Sequence, residues 1–151
     1  MYTYDARGRI TGIQDGNQNQ TGYHMDPWGR VHQIETAEGG KENFTYDYTG
    51  HITSTTDANG GVITYRYNSQ GKVCEIIDQE GNSETFRYDR EGRRILHEDR
   101  IGNQVRTTYN VDGRPVLERA CDYMGENEVS RSWEYDGIGN IKKAVAGGIC
   151  Y

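Results

Sequence analysis

The residues best suited to chemistry are four histidines, His24, His32, His51 and His97, three cysteines, Cys74, Cys121 and Cys150, and a series of aspartates. Histidines could serve as metal ligands or a general base. None stands in an H-E-x-x-H pair, and the sequence contains no nucleophile elbow and no phosphate-cradling glycine loop. The cysteines are odd in number and form no C-x-x-C, so they read as free thiols. Aspartates could bind calcium if six to eight oxygens converged on a point about 2.3–2.6 Å from each. If exposed, Trp28 and Trp133 could stack on sugar rings, with Asp and Asn holding hydroxyls. Deciding among these options requires the elements that would position them.

Those elements are repeats. Gly8, Gly29, Gly50, Gly71, Gly92 and Gly113 stand 21 residues apart, and a seventh copy, Gly139, arrives five residues late. Four residues before each stand Tyr4, Met25, Tyr46, Tyr67, Tyr88, Tyr109 and Tyr135. Two positions earlier come Tyr2, Tyr23, Phe44, Tyr65, Phe86, Thr107 and Trp133. A fixed period of this size means stacked supersecondary units, each too small to bury its own apolar face. In one unit, Val62 to Tyr67 is β-branched and aromatic and alternates, which predicts a strand. It runs into Asn68-Ser69-Gln70-Gly71, the chemistry of a type I turn closed by a left-handed residue. A second strand, Lys72 to Ile77, leads to another such turn, Asp78-Gln79-Glu80-Gly81. Both connections are short, so neighbouring strands are antiparallel and the chain is an all-β, up-and-down meander of about seven hairpins forming a curved sheet.

The period sorts the candidate residues. The aromatic residues form two rows on one face, expected to be packed, with a polar face opposite. The four histidines fall at four different phases, and His51 occupies a basic row, Arg9, Arg30, His51, Lys72, Arg93 and Arg114, just after the turn glycine. An acidic row, Asp5, Asp26, Asp47, Asn68, Asp89 and Asn110, precedes the turn and should face the basic one across each hairpin. Carboxylates of one row lie roughly 9.5 Å apart by strand spacing, too far to share an ion. The reading is turn capping, with no metal and no cofactor. The five-residue excess is expected in the turn at 121–127, where it should be dispensable. Residues 1–145 are expected as one array and 146–151 as a short tail.

Composition bounds the partners. Ile, Leu, Val and Phe number 24 of 151, so twelve Tyr and two Trp must supply the apolar surface. A net charge of -6 argues against nucleic acid as a partner. No run approaches the roughly 18 apolar residues of a membrane span, and the N-terminus lacks a basic region followed by an apolar core.

With Tyr4-Asp5-x-x-Gly8-Arg9, Tyr46-Asp47-x-x-Gly50, Tyr88-Asp89-x-x-Gly92-Arg93 and Tyr135-Asp136-x-x-Gly139-Asn140 in view, the sequence resembles the YD-repeat, or Rhs-repeat, family. The family includes bacterial Rhs and wall-associated polymorphic toxins, insecticidal toxin-complex shell proteins and animal teneurins. The resemblance implies a slice of a β-shell, and a non-catalytic structural module that encapsulates or presents a toxin domain in an exported or cell-surface parent. The implied partners are the remaining repeats and the toxin domain. Met25-Asp26-Pro27-Trp28-Gly29 resembles the D-P-x-G of toxin cores, but it lies in the repeat frame, so no self-cleavage residues are carried over. The slice is expected to self-associate through open sheet edges. The alternative is a carbohydrate-binding or adhesion module, with Trp28 and Trp133 as its contacts; a hydrolase ranks last.

Overall fold

The computed structural model describes residues 1–150, with side chains through Gly147. Its strands are β1 (Tyr2–Tyr4), β2 (Ile10–Gln14), β3 (Gln20–Met25), β4 (Val31–Glu35), β5 (Lys41–Tyr46), β6 (Ile52–Thr56) and β7 (Val62–Tyr67). They continue as β8 (Val73–Ile77), β9 (Ser83–Tyr88), β10 (Arg94–Glu98), β11 (Gln104–Tyr109), β12 (Pro115–Cys121), β13 (Asn127–Tyr135) and β14 (Ile141–Cys150). The described residues contain no helix, and the fold is an all-β antiparallel meander. The chain divides into two compact units, Met1–Tyr65 and Arg66–Tyr151. Within each, strand order follows chain order.

One irregularity recurs at the same place. The register slips between Thr3 and Tyr4, His24 and Met25, Thr45 and Tyr46, Thr108 and Tyr109, and Glu134 and Tyr135. A bulge adds local twist and re-aims the side chain beside it. It falls at the position occupied by the Tyr of each Tyr-Asp pair, and by Met25 in the second repeat.

The five-residue excess corrects the sequence expectation. Asp122-Tyr123-Met124-Gly125 forms an ordinary turn, with the Gly125 N–H donating to the Asp122 carbonyl at 2.9 Å. The extra residues lengthen strands instead: β12 has 7 residues and β13 has 9, against 5 and 6 in β10 and β11. They pair in continuous register from Leu117↔Ser132 to Cys121↔Glu128. Ladder hydrogen bonds absorb them at less cost than a swollen loop with unpaired backbone groups would. Removing the turn residues would therefore delete a connection. The supposed tail is also strand, since β14 runs through Cys150; the Cys150 thiol lies outside the described side chains.

The sheet is a single layer with very little core. Leu96, 9% exposed, is the one buried hydrophobic residue among those described. It sits in register between Arg87 and Arg106, whose aliphatic stems can cover it. The aromatic rows are half-buried at best, and Tyr2 and Tyr4 are exposed. The aromatic face expected to be packed is not covered within either unit.

Candidate functional site

The Tyr-Asp turns are built by their first and last residues. The Asp5 N–H donates to the Arg9 carbonyl at 2.9 Å, and the Gly8 N–H donates back to Asp5 at 3.0 Å. This is a type I turn with a left-handed glycine closing the hairpin. The glycines of these turns have φ between 72° and 97°. Asp5 Oδ1 also accepts the N–H groups of Arg7 and Arg9, at 2.8 and 3.0 Å, so the carboxylate satisfies the donors that the turn leaves open.

Across each hairpin the acidic and basic rows meet. Arg9 Nε lies 2.6 Å from Asp5, Arg30 Nε 2.7 Å from Asp26 and Arg93 Nε 2.6 Å from Asp89; His51 Nδ1 lies 3.1 Å from Asp47. The backbone N–H of Arg9, helped by its guanidinium, holds Asp5 below the usual carboxylate range against a partial desolvation. For Asp26 and Asp89 partial burial pushes upward, but the backbone and side-chain donors of Arg30 and Arg93 outweigh it and the net direction is down. Asp47 is lowered furthest, chiefly by the Thr49 hydroxyl.

The basic residue also reaches the following repeat. Arg30 Nη1 donates to the Asp47 carbonyl at 3.0 Å, and Arg93 Nη1 donates to the Asn110 carbonyl at 3.2 Å. The same cations lie over the next tyrosine: Arg30 over Tyr46 at 4.5 Å, Lys72 over Tyr88 at 5.5 Å, Arg93 over Tyr109 at 4.9 Å and Arg114 over Tyr135 at 5.6 Å. Each of these tyrosines donates its phenol proton back to the preceding hairpin. The acceptors are the carbonyls of Val31 for Tyr46 (2.6 Å), Val73 for Tyr88 (2.8 Å), Arg94 for Tyr109 (2.9 Å) and Pro115 for Tyr135 (2.7 Å). The result is a two-way bracket: cation forward, phenol back. A contact of this kind contributes about 0.5–1 kcal/mol per cation–π pair and about 1 kcal/mol per hydrogen bond, and among the described residues the bracket stands at Tyr46 in the first unit and at Tyr88, Tyr109 and Tyr135 in the second.

Sequence reasoning missed this bracket, and it missed a second row. After three of the six other turns comes Asn in place of a base: Asn19, Asn82 and Asn103 donate side-chain N–H groups to Asp15, Asp78 and Asp99 at 2.9, 3.2 and 2.8 Å. Asn140, in the basic row's seventh place, does the same to Asp136 at 3.3 Å. The fixed position one after the turn glycine was the available signal.

The remaining candidates scatter. His97 Nε2 lies 2.6 Å from Glu84 with its ring stacked on Phe86 at 5.0 Å; His24 lies 3.5 Å from Glu35 and 6.3 Å, ring to ring, from His32. Among the described residues no group of three or more His, Cys, Asp or Glu side chains could hold a metal ion. No helix of the described residues is long and apolar enough to cross a membrane. Cys74 and Cys121 are free thiols. Trp133 is half-buried in β13, whereas Trp28, at a turn tip, is 79% exposed.

The teneurin YD-shell model matches residues 1–145, the span that carries these repeated Tyr-Asp hairpins. The chain belongs to the teneurin YD-shell family. Among solved structures, the Photorhabdus luminescens Tc holotoxin pore matches with a TM-score of 0.78 at 14% identity, over 98% of this chain and 9% of that one. The crystal structure of TcdB2-TccC3-Cdc42 matches with a TM-score of 0.79 at 15% identity, over 98% and 9%. That of TcdB2-TccC3-TEV matches with a TM-score of 0.75 at 15% identity, over 92% and 8%. At such identities the likeness is one of fold, and this YD-shell chain spans less than a tenth of each neighbour's length. No curated protein matches it.

Proposed function

We infer that this chain is a non-catalytic wall segment of a YD-type shell that encloses or presents a toxin domain within a longer, exported or surface-displayed protein. Its partners on this reading are further repeats and the enclosed domain. The observation that carries it is the bracket: hairpins tied to their neighbours at the Tyr-Asp rim extend a sheet sideways without a second layer, which is what a wall requires. The near absence of buried residues supports the same reading, since a module with its own packed core would not leave Leu96 as the one buried hydrophobic residue among those described. Limited proteolysis of the longer chain carrying these repeats, with and without residues 1–145, tests it. Cargo protected only when the repeats are present supports the reading; cargo cleaved equally fast in both overturns it. For the isolated chain, the same reading expects association through its outer strands, and a strictly monomeric species in light scattering at high concentration counts against that part.

A further inference from the structure

One face of the second unit carries a row of like charges. Leu96 of β10 stands in register with Arg87 of β9 on one side and with Arg106 of β11 on the other. Arg106 is in turn directly opposite Arg119 of β12. Register partners share a face, so three arginines, all exposed, project from one cross-strand row. Like charges directly opposite each other destabilise an antiparallel pair. The repeat does not ask for them: Gly22, Asn43, Thr64 and Thr85 stand at the phase of Arg106, and Gln14, Glu35, Thr56, Ile77 and Glu98 at that of Arg119. Equivalent pairs in earlier hairpins are Asn43↔Thr56 and Thr85↔Glu98. Turn, bulge and bracket are complete without a base at either position.

The surroundings of the row leave its charge open. Among the described residues the Arg87 guanidinium has no ion-pair or hydrogen-bond partner. Gln104 keeps Arg106 from the nearest acid: its amide oxygen accepts Arg106 Nη2 at 2.9 Å while its N–H donates to Glu98 at 2.6 Å. Arg119 Nε lies 3.7 Å from Glu128, a loose pair whose arginine side chain is 57% exposed. These features select the occupant. A guanidinium fork holds a carboxylate or phosphate through two parallel hydrogen bonds. A densely charged polyanion laid over the row would also lie over Glu98 and Glu128, which share its face, and be repelled. A peptide whose carboxylates alternate with apolar residues avoids this, because its acids are spaced. Its apolar side chains meet Leu117, half-buried on the same face two residues before Arg119.

We propose that the row of Arg87, Arg106 and Arg119 is a docking surface for an acidic peptide segment of a partner protein, its carboxylates received by the guanidinium forks and its apolar residues by Leu117. The test titrates the whole chain into a fluorescein-labelled decapeptide in which Glu alternates with Leu and Ser, read by fluorescence anisotropy. The same peptide with Gln for every Glu and a sulfated oligosaccharide serve as comparisons. Saturable binding of the acidic peptide is expected, weakened about tenfold when Arg106→Gln and Arg119→Gln are combined. Arg90→Gln combined with Arg131→Gln removes the same charge at a turn tip and on the opposite face, and should leave binding unchanged. The chain carrying Arg106→Gln alone should melt no lower than the wild type, because the substitution relieves a like-charge pair. No saturation, equal binding of the Gln peptide, stronger binding of the sulfated oligosaccharide, equal weakening by the Arg90 and Arg131 substitutions, or a lowered melting temperature for Arg106→Gln would each overturn the proposal.

Discussion

The two rims of one hairpin pair share a backbone and differ chiefly in the side chain that follows the turn glycine. At Asp78–Gly81 and at Asp89–Gly92 the turn hydrogen bonds are the same, 3.0 Å in every case. After the first glycine comes Asn82, whose amide returns to Asp78 and goes no farther. After the second comes Arg93, which binds Asp89, continues to the Asn110 carbonyl and covers the Tyr109 ring. Where Asn follows the turn, at Asn19, Asn82 and Asn103, the hairpin closes on itself, and Arg100 reaches Asp78 along this rim at 3.6 Å. At Arg30, Lys72, Arg93 and Arg114 the other rim reaches the next hairpin. Side-chain length, with an aromatic partner placed by a bulge, converts a local turn into lateral cohesion.

The largest effect should come from filling the space under a Tyr-Asp turn. Gly92 and Gly81 both have left-handed backbones, φ 78° and 87°, so Val at either costs about 1–3 kcal/mol. At Gly92 a Cβ would meet Lys72 Cε at 2.6 Å, whereas nothing lies within 4 Å at Gly81. Lys72 Cε is the far end of a flexible side chain and can swing aside, giving up at most its contact with the Tyr88 ring, about 0.5–1 kcal/mol. Gly92→Val should therefore melt slightly below Gly81→Val, and equal losses would remove the distinction between the rims.

Next comes the cation itself. Arg93→Gln loses the forward hydrogen bond and the Tyr109 contact, about 1–2 kcal/mol, while Asn82→Ala loses one exposed intra-turn bond, about 0.5 kcal/mol. Urea unfolding midpoints of the two variants measure the ratio. Behind these stands the phenol: Tyr88→Phe keeps the ring under Lys72 but removes the bond to the Val73 carbonyl, about 1 kcal/mol. Tyr123→Phe on the Asn rim, a side chain 68% exposed, should be silent.

These variants probe what the sequence could and could not express. Turn positions were legible because a closed type I turn needs a left-handed residue and glycine supplies it cheaply; where Gln18 stands instead, the backbone still adopts φ 69°. The Asp–Arg pairing was legible because both residues belong to one turn, four apart. The forward reach of Arg93 was not, since its partners Tyr109 and Asn110 lie 16 and 17 residues on and are brought close only by strand pairing. Nor was the fate of the five extra residues. Glu128 to Ser132 alternates around polar side chains with one Val, a weak strand signal until ladder pairing on both sides of β13 is considered. Coverage of the aromatic rows is a property of what lies against the sheet, and composition carries no information about that.

The smallest effect, and the sharpest, concerns charge at the Arg rim. Asp89 keeps its carboxyl below the ordinary range: partial burial opposes this, but the Arg93 backbone N–H, its guanidinium and its charge prevail. A carboxyl lowered by folding binds fewer protons folded than unfolded. Its contribution is therefore fully present above the unfolded value of about 3.9 and is lost as pH falls through the lower folded value. The chain already shows what remains without the charge: Asn110, in the same row, still caps its turn by accepting the N–H groups of Asp112 and Arg114 at 3.1 and 2.9 Å. Asp89→Asn should thus keep the turn and forfeit only the ionic link to Arg93, melting slightly below the wild type at pH 7. As the wild-type carboxylate protonates, the gap should close, so melts at pH 7, 4 and 2.5 should converge at the acid end. A gap that stays constant across the series would mean that the link contributes through geometry alone, and that the charge of Asp89 adds nothing to the Arg rim.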